Sequence, residues 1–225
     1  MTSSTRVSSQ IATRACIFAL VCGLSLLSEA EEAMHQQTFR LAAAGEPALF
    51  LRHQRATATR GAELGSVLYI HGATFPSALS VAFEFDGYSW MDDLSAAGFS
   101  VWALDFAGYG GSDRYSLSSQ PSATETIPGR SEAAADQIDR AVGWILDYTG
   151  AARISLVAHS WGTIVAGRYA GENPDRIDRL VLFGPIAQRE QRFSDEPLSA
   201  TRLVSIEDQH ARFVKDVPPN HSPVL

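Results

Sequence analysis

Short apolar runs alternate with segments of helical periodicity through the middle of the chain. The almost wholly apolar runs lie at residues 66–70, 99–104, 154–158 and 179–183. Continuous apolar runs of this length are typical of strands buried on both faces of a sheet. Between them, residues 89–97, residues 131–149 and the segment after Ser160 carry apolar residues at helical spacing. The alternation predicts an α/β protein with a mostly parallel sheet of core strands and helices on both faces.

The two ends of this region carry weaker signals. Phe39–Leu41 and Ala48–His53 have the pattern of two short strands joined by a turn at Gly45–Pro47, which predicts a small antiparallel edge. Near the C-terminus, residues 207–215 form one further candidate helix. Within the first central helix we expect Trp90, Met91 and Leu94 to share one apolar face. In the second we expect Ser131 to be the N-cap.

The sharpest feature is the junction of the third core strand with the helix that follows it. The strand meets the helix with no room for a loop, and Ser160 lies between the small residues Ala158 and Gly162. A chain that reverses so sharply places its central residue at positive φ. This is the pattern of the nucleophile elbow G-x-S-x-G, with Ala158 in place of the first glycine. The alternative is that Ser160 is an ordinary helix N-cap, but the flanking strand and helix favour a nucleophile.

Two other stretches follow core strands. His71–Pro76 contains glycine and small residues whose backbone amides could face a site, and Asp105–Arg114 is a glycine-rich loop. We predict that His71 is a structural histidine bonded into its loop. Asp105 and Asp113 are expected to form loop-fixing hydrogen bonds. Function in parallel sheets lies at the carboxyl ends of the strands, where both stretches and Ser160 are expected.

Together these stretches resemble the first half to two-thirds of an α/β-hydrolase-fold enzyme. The resemblance rests on His71–Pro76, Asp105–Ser112 and Ala158–Gly162. It implies that Ser160 is the nucleophile of acyl transfer from an ester, an amide or a related substrate. It also implies an oxyanion hole made by the backbone N–H groups of Ala73 and Trp161. An aspartate in place of the serine would instead indicate an epoxide hydrolase or a haloalkane dehalogenase.

Several aromatic side chains follow the same strand ends. Phe75, Trp161 and Tyr109 are candidates to line an apolar pocket for the substrate, and each could equally belong to the core. The expected ligand is a small-molecule acyl substrate. Neither a metal nor an organic cofactor is implied by the sequence.

The C-terminal part departs from the family pattern, in which the acid and then the histidine follow the serine. After Pro185 no further strand–helix pair is visible, and residues 188–225 resemble the start of a cap region. His210 is a candidate base on the predicted helix, and His221 is the one other histidine after Ser160. The later acids are Asp195, Glu196, Glu207, Asp208 and Asp216. The favoured interpretation is that the chain is C-terminally truncated and that its acid and histidine lie beyond Leu225.

The N-terminus leaves two interpretations open. Arg6 and Arg14 precede an apolar run and then the small residues of Ser28–Ala30, which is the pattern of a secretory signal peptide. The apolar run is too short to span a membrane. Alternatively, Met34 is the true start. The protein is exported or periplasmic on the first interpretation and cytoplasmic on the second. We therefore divide the chain into a leader at residues 1–33, the N-terminal part of the hydrolase core at 34–187, and the start of the cap region at 188–225.

Composition narrows the choice of function. The formal net charge is −7, and no block of basic residues suggests nucleic-acid binding. Both cysteines, Cys16 and Cys22, lie in the N-terminal segment, so neither a disulfide framework nor a thiolate metal site is expected. The oligomeric state is left open. Two alternatives to a serine hydrolase remain: a non-catalytic remnant or binding module with an exposed apolar sheet edge, and a cofactor-free perhydrolase resembling haloperoxidases.

Overall fold

The apolar runs of the sequence form a six-stranded sheet in the computed structural model of the chain. The structure describes residues 36–57, 63–115, 129–186, 204–215 and 217–218. The described residues fall into two compact units, one within Met1–Ile186 and the other within Ala187–Leu225. The predicted leader and several candidate C-terminal residues lie outside the described part, namely Asp195, Glu196, Asp216 and His221.

The sheet belongs to the first unit. Its strands are β1 (Gln36–Ala43), β2 (Glu46–Gln54), β3 (Ser66–Ile70), β4 (Ser100–Asp105), β5 (Ile154–His159) and β6 (Ile177–Phe183). Their spatial order is β1-β2-β4-β3-β5-β6. The last four strands of that order run parallel, whereas β1 pairs with β2, and β2 with β4, in antiparallel fashion. The mostly parallel sheet and its antiparallel edge are therefore as predicted.

Helices cover both faces of this sheet. They are α1 (Trp90–Ala96), α2 (Ser131–Thr149) and α3 (Trp161–Glu172). The helices α2 and α3 pack on one face, where Trp102, Leu156 and Ile138 are fully buried. The other face is covered by α1, and Met91 of that helix packs with Tyr69 and Val101. Alternate residues of the same strands thus enter separate cores, which is why these strands are apolar throughout.

Three local expectations were wrong. The strand β6 was expected in the core, but its side chains from Asp178 to Phe183 are exposed, because β6 is the outermost strand and no described strand pairs with its outer edge. Trp90 is 54% exposed, since only Met91 of the first turn of α1 enters the core. The N-cap of α2 is Arg130 and not Ser131, which is already helical.

The amino end of α3 approaches the end of β3 very closely. A Cβ atom added at Gly162 would lie 2.5 Å from the backbone oxygen of His71 and 2.8 Å from that of Ile70. Both neighbours are backbone atoms of a central strand and its loop, so neither can move aside cheaply. A glycine at position 162 is therefore required for the helix to start where it does.

The second unit contains the predicted C-terminal helix, α4 (Ile206–Val214). It begins with a capping box in which Ser205 and Asp208 each accept a hydrogen bond from the other's backbone N–H. In the described part of the chain, no helix combines the length and the apolar character that a membrane crossing requires.

Two glycines of α3 provide a matched test of this packing. We expect Gly162→Ala to lower the free energy of unfolding by about 1–3 kcal/mol, because its methyl group must displace the helix from β3. Gly167 has no atom within 4 Å of an added Cβ. We expect Gly167→Ala to raise the same quantity by up to about 1 kcal/mol, because alanine costs less backbone entropy in a helix. Urea unfolding of both variants checks the pair, and equal effects would contradict the account.

The exposed edge provides a second test. Leu180, Val181, Leu182 and Phe183 are between 38% and 55% exposed on β6, whose outer edge has no partner strand among the described residues. Such an edge favours pairing with another chain. We expect Val181→Lys to reduce self-association of this 225-residue chain, as measured by sedimentation velocity. Leu64→Lys, which adds the same charge at a 57% exposed leucine outside the strands, is the control. Equal effects of the two substitutions would mean that β6 is not the associating surface.

Candidate active site

Strand register brings the predicted loops together at the carboxyl edge of the sheet. Ile70, at the end of β3, pairs with Leu104 on one side and with Ala158 on the other. The residues that follow these strands therefore emerge side by side: the loop from His71, the loop from Asp105, and the turn at Ser160. The sequence placed the same three stretches at this edge.

Ser160 has the strained backbone expected of an elbow. Its φ is 54° and its ψ is −122°. A non-glycine residue in a sparsely populated region of this kind costs about 1–3 kcal/mol, so the surrounding structure must maintain it. The backbone N–H of Ser160 donates to the carbonyl of Phe183, at 3.0 Å. Ser160 occupies the N-cap position of α3, but its side chain makes no capping hydrogen bond to the helix.

The loop after β3 lies directly against this serine. A Cβ atom added at Gly72 would lie 3.1 Å from the Cβ of Ser160 and 3.4 Å from the carbonyl oxygen of His159. Any side chain at position 72 would therefore press on the turn. The backbone of Gly72 and Ala73 can approach the serine only because position 72 carries no side chain.

His71 is fully buried and links this loop to the loop after β4. Its Nδ1 lies 2.6 Å from the carbonyl oxygen of Gly72, and its Nε2 accepts a hydrogen bond from the backbone N–H of Phe106, at 3.1 Å. Burial lowers the pKa of the imidazole, opposed by its hydrogen bond to Gly72 and by the charge of Asp105. The prediction that His71 is a structural histidine of the loop is confirmed.

Asp105 also fixes loops, as predicted. One carboxylate oxygen accepts from the backbone N–H of Ser77 at 2.7 Å, and the other accepts from that of Gly111 at 3.0 Å. Asp113 likewise pairs with Arg40 and accepts from the backbone N–H of Ala48. Each carboxylate therefore fixes the backbone of its own loop to a neighbouring segment.

The two predicted oxyanion donors lie in the loop after β3 and at the first residue of α3. Ala73 is exposed and Trp161 is half-buried at the start of α3. Within the described residues, neither backbone N–H group has a hydrogen-bond acceptor. The carbonyl of Ala73 accepts a hydrogen bond from the Tyr109 hydroxyl at 2.8 Å, which anchors the loop on its other side.

The aromatic candidates take different places. Phe75 is half-buried, and Trp161 packs edge-on against Phe106 with ring centroids 5.5 Å apart. Phe183 is absent from the candidates of the sequence analysis. It ends β6 opposite His159, and the two rings stack with their centroids 5.2 Å apart. The register of a parallel neighbour of β5 is the signal that could have identified it.

His210 lies on α4 in the second unit, where it is exposed. Asp208 of the same helix is the capping-box partner of Ser205, which accounts for that carboxylate structurally. Among the residues that the structure describes, no group of three His, Cys, Asp or Glu side chains could bind a metal ion. The structure therefore assigns neither His210 as the base nor Asp208 as the acid that a serine nucleophile requires.

Known proteins are similar to parts of this chain. A haloalkane dehalogenase of Mycolicibacterium paratuberculosis is 34% identical over 101 residues, which span 43% of this chain and 29% of that protein. The abhydrolase domain-containing protein abhd-5.2 of Caenorhabditis elegans is 32% identical over 106 residues, or 47% of this chain and 21% of that protein. The chain thus aligns with less than a third of the length of either curated relative.

Solved structures are similar over about two-thirds of the chain. A protein described as a CIB-like hydrolase from Thermoplasma acidophilum has a TM-score of 0.47 and 23% identity, covering 65% of this chain and 61% of that one. Epoxide hydrolase VrEH1 from Vigna radiata has a TM-score of 0.48 and 20% identity, covering 67% and 38%.

A family model described as the alpha/beta hydrolase fold matches residues 65–211, which is more than half of the chain. The match includes the loop after β3, the loop after β4 and the turn at Ser160. On this match the chain belongs to the α/β-hydrolase fold family.

Proposed function

We propose that this protein is a serine hydrolase that transfers an acyl group from an ester, an amide or a related substrate to water. The observation that carries the proposal is the strained turn at Ser160. The serine has positive φ, its side chain makes no capping hydrogen bond, and the backbone of Gly72 packs against it. Strain of this kind is maintained at functional sites more often than elsewhere.

The reaction would proceed in two halves. The Ser160 hydroxyl attacks the substrate carbonyl and gives its proton to a general base, forming a C–O bond. The oxyanion of the tetrahedral intermediate accepts hydrogen bonds from the backbone N–H groups of Ala73 and Trp161. Collapse breaks the bond to the leaving group, which takes the proton. Water then attacks the acyl-enzyme by the same steps and releases the acid and Ser160.

The base and its acid partner remain to be assigned, and we place them in polypeptide that follows Leu225. The exposed apolar side chains of β6 support this placement, because parallel strands are normally covered on both faces. A neighbouring parallel strand beyond β6 would end at the same edge as Ser160, and the helices that connect it would cover these side chains. His210 is the alternative base within this chain, and a non-catalytic hydrolase-like protein is the alternative if no base exists.

Dehalogenation is the second candidate, because one relative is named a haloalkane dehalogenase. The residue at the elbow disfavours it. A carboxylate that displaces a halide forms an ester, which water can hydrolyse, whereas Ser160 would form an ether that water does not cleave. Release of halide from a haloalkane by the protein would favour dehalogenation over acyl transfer.

A fluorophosphonate probe tests the nucleophile. We expect covalent labelling at Ser160 in the full-length protein, which includes the polypeptide proposed to follow Leu225, and complete loss of labelling in its Ser160→Ala variant, because only an activated serine attacks the phosphorus. The control is Ser155→Ala, which removes a serine hydroxyl from β5, the strand that leads to Ser160. This variant should be labelled as the wild type is. Peptide mass spectrometry identifies the modified residue. Absence of labelling in folded wild-type protein, or labelling at another serine, would contradict the proposal.

The placement of the base predicts the size of the protein. We expect the protein isolated from its source to have an intact mass clearly above the 24.3 kDa of this chain, with an aspartate or glutamate and then a histidine in the additional sequence. A mass at or below 24.3 kDa together with labelling of Ser160 would favour His210 as base. The same mass without labelling would favour the non-catalytic alternative.

A further inference from the structure

One peptide group carries the first oxyanion donor of the proposed site. The N–H of Ala73 and the carbonyl of Gly72 belong to the same peptide unit. That carbonyl lies 2.6 Å from Nδ1 of His71, a side chain with no exposed surface. The N–H group that would bind the oxyanion is thus linked to a buried imidazole through one peptide group and one hydrogen-bond contact.

The partners of the imidazole fix its tautomer. A neutral histidine has one ring nitrogen that donates and one that accepts. The backbone N–H of Phe106 can only donate, so Nε2 must accept from it, at 3.1 Å. The proton of the neutral ring is therefore on Nδ1. The 2.6 Å contact is a hydrogen bond from Nδ1–H to the Gly72 carbonyl.

The position of the ring is fixed by packing. Phe106 lies edge-on to it with centroids 5.0 Å apart, and the ring of Tyr109 is 4.8 Å away. The Tyr109 hydroxyl also donates to the carbonyl of Ala73 at 2.8 Å, so the peptide groups on both sides of Ala73 have fixed partners. The imidazole cannot rotate without breaking both of its hydrogen bonds and this packing.

Peptide geometry transmits the constraint to the donor. The peptide is planar and trans, so the Ala73 N–H points away from the Gly72 carbonyl, and hence away from the His71 ring. A hydrogen bond accepted by the carbonyl also polarises the amide and strengthens its N–H as a donor. The same bond therefore sets both the direction and the strength of the Ala73 donor.

We propose that His71 is a positioning residue of the oxyanion hole, which orients and polarises the Gly72–Ala73 peptide through its Nδ1–H. The proposal rests on the function proposed above, in which Ala73 N–H binds the oxyanion. His71 does not contact the substrate or exchange its proton during the reaction. Its effect is exerted on the transition state, where negative charge develops on the carbonyl oxygen.

Two substitutions separate the two hydrogen bonds of the ring. In His71→Asn the side-chain NH₂ group lies near the former Nδ1 and can still donate to the Gly72 carbonyl, while the acceptor for Phe106 is lost. In His71→Gln the side-chain oxygen reaches the former Nε2 and can still accept from Phe106, while the donor to Gly72 is lost. Each variant loses one buried hydrogen bond, so their thermal stabilities should fall by similar amounts.

Their kinetics should differ. We expect His71→Gln to lower kcat for an ester about 10- to 100-fold with KM unchanged, somewhat less than the loss seen when an oxyanion donor is removed outright. His71→Asn should retain kcat within about threefold, because it keeps the donor on which the transition-state effect depends. The rate of labelling by a fluorophosphonate should follow the same order.

His53 supplies the matched control. It is also buried, with its ring stacked on Trp102 at 3.7 Å and its Nε2 2.9 Å from the Ser100 hydroxyl. Ser100 begins β4, so this histidine lies at the edge of the sheet opposite Ser160. We expect His53→Asn to lower thermal stability without changing kcat. A loss of kcat in this variant equal to that in His71→Gln would show that the effect reflects stability alone.

An amide resonance tests the hydrogen bond independently of catalysis. In the ¹⁵N–¹H spectrum of the protein, the Ala73 nitrogen should move upfield in His71→Gln and stay near its wild-type position in His71→Asn. An unmoved Ala73 resonance in His71→Gln, or equal losses of kcat in the two variants, would overturn the proposal. Failure of wild-type Ser160 to label would refute the proposed hydrolase function while leaving this spectral test of His71 decisive.

Discussion

The structure depends on the close approach of α3 to the end of β3. A side chain at Gly162 would overlap two backbone carbonyls of β3 and its loop, and a side chain at Gly72 would press on Ser160. These two glycines allow three backbone segments to meet within van der Waals contact at one edge of the sheet. The strained φ of Ser160 lies at that meeting, where β5 passes directly into a helix packed close to β3, and the surrounding contacts maintain it.

Buried polar groups hold the loops of this edge in fixed positions through hydrogen bonds. His71 joins the loop after β3 to the loop after β4, and Asp105 joins the same two segments through Ser77 and Gly111. Such groups are stable in the interior because each is hydrogen-bonded. The proposed chemistry needs this rigidity, since donors aimed in advance at a developing charge stabilise it without reorganisation.

The outer edge of the sheet, at β6, has no neighbouring strand among the described residues. The strand β6 is apolar yet exposed, and the chain aligns with less than a third of the length of the curated relatives described above. The proposed nucleophile and oxyanion donors come from β3 and β5, in the middle of the sheet. A base supplied beyond β6 would reach the same edge from the unpaired side, so the proposed site would be divided between a rigid centre and a neighbouring element.

Local patterns in the sequence determined the succession of strands and helices along the chain, the positive φ of Ser160, and the structural roles of His71 and Asp105. Each of these follows from residue size, apolar runs or hydrogen-bonding capacity within a few positions of the chain. Only the tertiary structure decided that β6 and Trp90 are exposed, that Phe183 accepts from Ser160, and that the His71 proton points at Gly72. Exposure and hydrogen-bond direction depend on which distant segment lies alongside, and an apolar strand has the same sequence whether or not it has a neighbour.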